Sequence, residues 1–286
     1  MSTTAATRPV PAARRSARHR AEPAARTRRA RSTAGTPHPL LSVLRSGLTD
    51  RSWLVFLLVG AVLTTISALG NGTTLLKDVA GADQAAVDDV ALRMTRLGFA
   101  LLLFVSMWSA TRVTSDFHDG TVTGQVARHG GVARLMARQA LAALPGGLAF
   151  GVVGVLTGAG TAAVMLHSRG LTMSLDESFW RTVLGVVLVS VLAAPWGTCF
   201  GWLLRRTVST VLVLVAWTTF IEPVLITWVP VRVGTWMPGN LQTRLCLDPT
   251  VVGDAGAVAS GAALVGWVLL LGAVTVLVTR RRDLHG

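Results

Sequence analysis

Residues that could do chemistry are concentrated in one polar, mostly basic stretch, Arg112 to Gln139, with the sequence RVTSDFHDGTVTGQVARHGGVARLMARQ. The apolar runs on either side are each about as long as the ~20 residues that cross a bilayer core. Ser115 and Asp116 are of the residue types that cap a helix start and complement its dipole, and Gly120 allows a tight bend. The pattern predicts a short helix across the membrane plane, in an exposed loop where a soluble partner can bind.

A second candidate site is Glu222 with Pro223, inside a later apolar run. A carboxylate within a membrane span is costly, which makes it a candidate functional group. The proline removes a helix hydrogen bond and kinks the chain. Two interpretations stay open here: a gate or lining of a translocation path, and a structural group that holds the bend through a hydrogen bond.

Motifs for catalysis are not found in the sequence. The only lysine, Lys77, lies in LLKD, so the chain cannot form its own phosphate-binding loop of the GxxxxGK[ST] type. HExxH, GxSxG and paired intramembrane carboxylates are also missing, and the six histidines are scattered. Cys199 and Cys246 have no CxxC or Cys/His pattern around them. We therefore predict a protein that is not an enzyme and that binds no cofactor or metal of its own.

Composition places these residues in an integral membrane protein. Of 286 residues, 51% are hydrophobic and 14% charged, with a mean hydropathy of +0.55, too apolar for a soluble protein. The excess of arginine over lysine, with abundant Ala, Val and Gly, indicates a GC-rich bacterial genome.

We predict an all-α fold with six spans, about Trp53–Leu69, Met94–Thr111, Ala140–Leu166 (interrupted by Pro145-Gly146-Gly147), Phe179–Leu204, Val208–Val229 and Ala257–Val278. The tryptophans expected as interfacial anchors are Trp53, Trp108, Trp180 and Trp236.

Small residues in two of the predicted spans recur at a spacing of four. In membrane helices such pairs allow close approach of a neighbouring helix. We predict that they pack within the subunit rather than in a dimer interface. The pairs are Gly147/Gly151, Gly154/Gly158 and Gly197/Gly201.

Basic residues determine the predicted sidedness. With both termini inside, 20 of the 27 lysines and arginines lie in cytoplasmic segments, as the positive-inside rule requires. The stretch Arg112 to Gln139 is then cytoplasmic. Residues 1–39 contain nine arginines and one acidic residue, Glu22, and we predict that they form a disordered cytoplasmic tail. Contact with lipid headgroups or with nucleic acid is the alternative role of this tail. Residues 40–52 are expected to form an interfacial amphipathic helix, and residues 280–286 a basic C-terminus.

The polar stretch resembles the loop between the second and third spans of ABC-2 type transporter permeases, especially actinobacterial drug or antibiotic-peptide exporters. That loop carries a Ser-x-Glu-x-x-x-Gly-Thr-like sequence, then a basic turn and an Ala-Lys pair. Here Asp116 replaces the glutamate, Gly120-Thr121 match, His129-Gly130-Gly131 forms the turn, and Ala137-Arg138 replaces Ala-Lys. Further similarities are Ile221-Glu222-Pro223 and Trp236-Met237-Pro238-Gly239-Asn240.

The resemblance implies the permease subunit of an ATP-driven exporter in the bacterial plasma membrane, in which the loop is a coupling helix. Two copies of a separate ATPase would bind ATP and Mg²⁺, a second permease chain (a homodimer rather than a heterodimer) would complete the assembly, and lipids would surround it. Asp116 and Asp119 would pair with the ATPase or cap against it, and Phe117 would enter an apolar pocket of it. Arg128 and Arg134 would meet its acidic rim. The residues so implicated in coupling are Ser115, Asp116, Phe117, His118, Asp119, Gly120, Thr121, Arg128 and Arg134.

Other interpretations stay open. Asp116 could only cap its own helix, and the arginines could only obey the positive-inside rule. The whole chain could be a membrane scaffold or sensor that recruits a partner through its basic tail, or a polytopic lipid-modifying enzyme. An amphipathic drug, antibiotic peptide or lipid is the expected substrate class for an exporter, as in multidrug or antibiotic resistance.

Overall fold

The computed structural model describes residues 52–77, 83–246 and 256–281. Every regular element within these ranges is a helix. The predicted tail at 1–39 lies outside these ranges. So do all but Ser52 of the predicted interfacial helix at 40–52, and residues 282–286 of the predicted basic C-terminus at 280–286. The elements are α1 (Ser52–Leu75), α2 (Gln84–Arg96), a 3₁₀ turn (Leu97–Ala100), α3 (Leu101–His118), α4 (Val122–His129), α5 (Val132–His167), α6 (Glu177–Leu204), α7 (Thr207–Ala216), a π-helical turn (Trp217–Ile221), α8 (Glu222–Trp228), α9 (Val231–Gly234), α10 (Pro238–Leu245) and α11 (Ala257–Arg281).

Six helical runs in the described ranges are long and apolar enough to cross a membrane, which indicates a multi-pass membrane protein. Each contains most of one predicted span. α6 is the most enclosed of them, whereas α1, α11 and the run formed by α7 and α8 lie at the periphery with largely exposed apolar faces. The runs are Ser52–Leu75, Gln84–His118, Val132–His167, Glu177–Leu204, Thr207–Trp228 and Ala257–Arg281.

The first span is longer than predicted, because α1 continues beyond Leu69 and through Gly70-Asn71-Gly72 to Leu75. Gly72 is buried, and a Cβ there would lie 2.6 Å from the Met165 sulfur and 2.8 Å from the Met94 methyl carbon. The glycine therefore serves close helix approach rather than chain reversal.

The second apolar run begins ten residues earlier than the predicted Met94. Its first residue is Gln84, and the Asp83 carboxylate accepts a hydrogen bond of 3.1 Å from the Ala86 amide as an N-cap. α2 is amphipathic and packs its apolar face on α5. The polar residues on its other face interrupt the apolar run in the sequence, so the predicted span began too late. The buried side chains of that face are Val87, Val90, Ala91 and Met94.

The predicted interruption of the third span at Pro145-Gly146-Gly147 is also wrong, since α5 runs through it. Packing explains the continuity. A Cβ at Gly146 would lie 2.3 Å from the Trp108 ring, and a Cβ at Gly147 would lie 2.7 Å from the Ser190 carbonyl oxygen. Close packing against α3 and α6 therefore keeps the helix continuous at the position where the proline has no backbone N–H to donate.

The glycine pairs face neighbouring helices of the same chain. At all six positions a Cβ would lie less than 3 Å from an atom of another element. This confirms that the pairs serve packing within the subunit. Gly147 and Gly151 face α6, Gly154 and Gly158 face the 3₁₀ turn and the end of α2, and Gly197 and Gly201 face α3.

Trp108 is not an interfacial anchor. It is 3% exposed and stacks on Phe150 with ring centroids 6.0 Å apart. The sequence placed it near a span end, but α3 continues to His118, so Trp108 lies in mid-helix. It belongs to a core cluster built mainly from α3, α5 and α6.

The chain folds back on the bundle after α8. α9 is a single turn, and α10 packs against α6 and α11 with Leu241 fully buried. The Trp267 indole donates a 2.8 Å hydrogen bond to the Trp236 carbonyl oxygen. A Cβ at Gly185 of α6 would lie 1.9 Å from the Leu245 carbonyl oxygen, so only glycine allows α10 its position.

Candidate functional site

The polar stretch after the second span folds as a helix end, a tight turn and a short helix. α3 continues to His118, and the Ser115 hydroxyl donates a 2.8 Å hydrogen bond to the Arg112 carbonyl oxygen within it. The prediction that Ser115 and Asp116 cap the start of a helix is therefore wrong, because both lie in the last turn of α3. The helix continues to this point because Phe117 packs on the bundle.

The stretch contains one short helix, α4, and its role as a coupling helix across the membrane plane stays a prediction. Gly120, with φ of +66°, makes the turn before it, and Gly130, with φ of +74°, ends it. Val122 is buried and Val126 packs on the same cluster as Val113 of α3. α4 is thus fixed to the bundle by its apolar face.

Asp116 is the hydrogen-bond acceptor that joins three helices. Its Oδ1 accepts from the Thr121 hydroxyl at 3.3 Å and from Gln125 Nε2 at 3.1 Å, next to and within α4. Its Oδ2 accepts from Gln139 Nε2 of α5 at 2.9 Å. Capping its own helix is thus not its role, and much of its acceptor capacity is used inside the chain.

Gln139 extends this network to α6. Its Oε1 accepts a 2.7 Å hydrogen bond from the indole nitrogen of Trp202, which is fully buried. Asp116, Gln139 and Trp202 therefore form one chain of hydrogen bonds from α3 through α5 to α6. Neither Gln139 nor Trp202 was a predicted site residue. The position of Gln139 immediately before a long apolar run is the sequence feature that could have marked it as a candidate.

Phe117 already has aromatic and cationic partners within the chain. Its ring meets Trp202 edge to face at 5.1 Å between centroids. The Arg205 guanidinium carbon lies 5.3 Å from the Phe117 ring centroid. Arg205 itself ends α6 and has a left-handed backbone, with φ of +58°. The expected insertion of Phe117 into a partner's pocket would require it to leave these contacts.

Seven of the nine predicted coupling residues are exposed, and four of these seven carry a charged or titratable side chain. His118 and Asp119 lie at the turn, whereas Arg128 and Arg134 lie at the end of α4 and the start of α5. The Arg128 Nε donates to the Gly124 carbonyl oxygen at 3.3 Å, which holds the stem of the side chain along α4. These exposed groups and the outer face of α4 form one exposed surface at this end of the bundle.

Glu222 lies in a different part of the fold, at the first position of α8 after the π-helical turn. It is 5% exposed, and its Oε1 accepts a hydrogen bond from the Gly239 amide near the start of α10. A carboxyl group near a helix N-terminus satisfies an otherwise unpaired amide. The contact supports the structural interpretation of Glu222, as a tie between the fifth span and the segment that follows it.

A cavity of about 20 Å³ adjoins Glu222, and its polar lining includes Thr218, Gln242 and Ser106. This is room for about one water molecule. Pro223 stands at the second position of α8, and the helix continues beyond it after the π-helical turn. π-helical turns are common at functional sites. None of the residues that line the cavity belongs to the polar stretch at α4.

The part of the chain that the structure describes contains no assembled site for a metal ion or for redox chemistry. No group of three His, Cys, Asp or Glu residues suited to a metal occurs there. Cys199 and Cys246 are both buried, and they form no disulfide with each other.

Comparisons with known proteins give no relative from which to transfer a function. No protein-family model matches the chain, and no curated protein matches it significantly. A functional assignment therefore depends on the geometry of α4 and of the helices around it.

Proposed function

We propose that this chain is the permease subunit of an ATP-driven exporter of the ABC-2 type. The single observation that carries the proposal is α4, a short helix held between two long apolar helices, with its outer face and four charged or titratable residues free for a partner. A separate ATPase would supply the energy, since Lys77 is the only lysine and lies outside any phosphate-loop motif.

α4 has the properties that a force-transmitting contact requires. Two valines fix its inner face, and Asp116 joins it to α3 and α5. A push on its outer face would therefore move the ends of the adjoining helices rather than deform a loose loop. Closure of two ATPase subunits around ATP would in this way bias the permease between inward-open and outward-open arrangements.

The basic residues beside α4 fit an acidic partner surface. Arg128 and Arg134 are exposed, and complementary charge would favour encounter and orientation of a negatively charged ATPase rim. His118 and Asp119 lie at the other end of the same surface. The contact surface proposed here differs from the sequence expectation, because Asp116 and Phe117 act mainly inside the chain.

The transport path would pass along the apolar interior or a subunit interface, with Glu222 and Pro223 as candidates for its gate. A path of this composition suits an amphipathic drug, antibiotic peptide or lipid. Two copies of the permease with two ATPase subunits would form the exporter in the bacterial plasma membrane.

Affinity purification of the chain from its native cells in mild detergent tests the proposal. We expect an ATP-binding subunit to co-purify near 1:1 and to be identified by mass spectrometry. Arg128→Glu with Arg134→Glu should abolish the recovery, because charge repulsion replaces attraction at an exposed surface.

Arg169→Glu is the matched control, since Arg169 is also exposed but lies in the turn after α5, at the far end from α4. It should leave recovery unchanged. If the native chain, monodisperse and folded, brings down no ATPase, the exporter proposal fails and the scaffold interpretation gains support. Equal loss with the Arg169 control would show that the effect is not specific to α4.

A further inference from the structure

We infer that Gln139 is the positioning residue that couples α4 to α6. Gln139 lies in α5 but joins two partners that are distant in sequence, Asp116 and Trp202, at 2.9 and 2.7 Å. Within the proposed function, this places it on the route by which movement of α4 reaches the most buried helix of the bundle. The structural part of the inference stands without the exporter assignment.

The chemistry of the two contacts requires a side chain at position 139 that donates and accepts at the same time. Asp116 offers only acceptor oxygens, so its partner must donate, whereas the Trp202 indole only donates, so its partner must accept. A neutral glutamine side chain does both at once. A carboxylate would accept from Trp202 but repel Asp116, and an ammonium or guanidinium would donate to Asp116 but leave the buried indole without an acceptor.

The position of the network makes these bonds directional. Trp202 is fully buried and Gln139 is partly buried, so water competes little for their hydrogen bond. Val122 and Val126 hold α4 by apolar contact, which resists separation but tolerates sliding. The bonds through Asp116 and Gln139 set the register of α4 along the bundle, a function that packing alone does not supply.

Gln125 and Phe117 do not serve the same purpose. Gln125 ties α4 only to Asp116, at the end of the neighbouring helix. Phe117 does reach α6, but through ring contacts with Trp202 and Arg205, which accept a range of geometries. Gln139 instead joins this network to α6 through a side-chain hydrogen bond.

Hydrogen exchange of the full-length chain in lipid nanodiscs tests the inference without an ATPase or a substrate. Gln139→Met preserves the length of the side chain and removes both hydrogen bonds, and Gln139→Glu sets a carboxylate against Asp116. We expect the amides of Val122–His129 to exchange about tenfold faster in both variants, which corresponds to the loss of about one net hydrogen bond. Peptides from the middle of α5 and α6 should keep their protection.

A double variant supplies the rescue that a merely space-filling role would not predict. In Asp116→Asn with Gln139→Glu, the introduced amide at position 116 accepts from Gln125 and donates to the new carboxylate, which accepts from Trp202. Protection of α4 should return to within twofold of the native rate. Thr123→Ala, at an exposed position of α4, is the control and should change little beyond its own residue.

Two outcomes overturn the inference. One is native-like protection of α4 in a folded Gln139→Met variant. The other is a double variant, folded by the protection of α5 and α6, that exchanges as fast as Gln139→Glu alone. Should Gln139→Met fail to fold, the comparison between Gln139→Glu and the double variant still decides.

A second measurement links the residue to transport. In the purified complex with its ATPase, Gln139→Met should keep at least half of the ATP hydrolysis rate while export per ATP falls about tenfold. If no ATPase is found, the exporter proposal fails, but the exchange results stand. If the ATPase binds and export per ATP stays native in a variant with loosened α4, the coupling role of Gln139 is overturned and the exporter proposal survives.

Discussion

Asp116 was predicted to contact a partner protein, but in the fold its carboxylate makes hydrogen bonds within the chain. Its side chain attracts attention in the sequence because it stands at the end of an apolar run beside a turn. In the fold its two oxygens accept from Thr121, Gln125 and Gln139. Mutation of Asp116 would thus misplace α4 as well as alter any contact with a partner, and loss of function on its own would not assign it to the interface.

Glu222 can be tested by separating its hydrogen bond from its charge. Glu222→Gln keeps an acceptor for the Gly239 amide, so thermal unfolding in detergent should remain close to native. Glu222→Ala leaves that partly buried amide without its acceptor, and we expect a loss of about 1–3 kcal/mol in the free energy of unfolding.

Equal destabilisation by the two substitutions would contradict this tie between α8 and α10. A stable Glu222→Gln variant that no longer exports would instead give the charge of Glu222 a part in the gate. The two results separate the structural interpretation from the functional one, which damage by Glu222→Ala alone cannot do.

Asp176 predicts a pH dependence at the start of α6. Its carboxylate accepts from the Ser178 hydroxyl at 2.7 Å and the Phe179 amide at 2.9 Å, and these bonds hold its pKa below the usual 3.8. Because the folded pKa is lower than the unfolded one, this stabilisation is complete above 3.8 and disappears as the pH falls through the folded value. The amide proton shift of Phe179, followed by NMR during acidification, should report the loss of the cap. Asp176→Ala should abolish that titration, and an unchanged shift in the native chain would refute the prediction.

Among the helices, α6 connects the two sites. Near one end the Trp202 indole donates to Gln139 and so joins the hydrogen-bond network that reaches α4. Nearer the other end Gly185 contacts α10, whose first turn is tied to Glu222. α6 is also the most buried of the described spans, and close approaches at glycines bring it against α3 and α5. A rigid displacement of α6 would therefore be felt at both places.

Gly185→Ala tests the seating of α10 on α6. A Cβ would lie 1.9 Å from the Leu245 carbonyl oxygen, so the backbone of one element must shift. We expect a loss of about 1–3 kcal/mol in unfolding free energy, as for overpacking in other cores, measured by thermal unfolding in detergent.

Gly266→Ala is the matched control because a Cβ there meets no atom within 4 Å. It should be neutral or slightly stabilising, since alanine favours a helix over glycine by up to about 1 kcal/mol. If the two substitutions have the same effect, α10 does not depend on the close approach at Gly185.

At the scale of the whole molecule, sidedness decides whether α4 can meet an ATPase. The positive-inside distribution, with 20 of 27 basic residues on one side, predicts a cytoplasmic α4. The turn between α5 and α6 would then be outside. The fold is compatible with this arrangement, because α4 and that turn lie at opposite ends of the long helix α5.

Single cysteines can test the topology in intact cells after Cys199 and Cys246 are replaced by alanine. A membrane-impermeant maleimide should label Arg169→Cys at once and Thr123→Cys only after permeabilisation, since both positions are exposed. The opposite labelling pattern would place α4 outside, away from ATP, and would exclude the coupling role.

The sequence by itself determined the class and span count of this protein. Six apolar runs of sufficient length predict six membrane helices, because an isolated backbone in hydrocarbon must form its hydrogen bonds within one helix. The short helix after the second span was predictable from Gly120, the polar residues around it and the basic turn that follows. The absence of a phosphate loop was also evident, since Lys77 is the only lysine.

Only the tertiary structure decided what the polar and small residues do. Gly72 and Pro145-Gly146-Gly147 carry the signals of a turn and a helix break, yet both lie inside continuous helices, since contacts from neighbouring helices outweigh local preference. Gln139 and Trp202 are 63 residues apart, and their bond depends on the packing of α5 against α6. A local pattern fixes which backbone groups can pair along one helix, but the partners of a side chain are set by which helices meet.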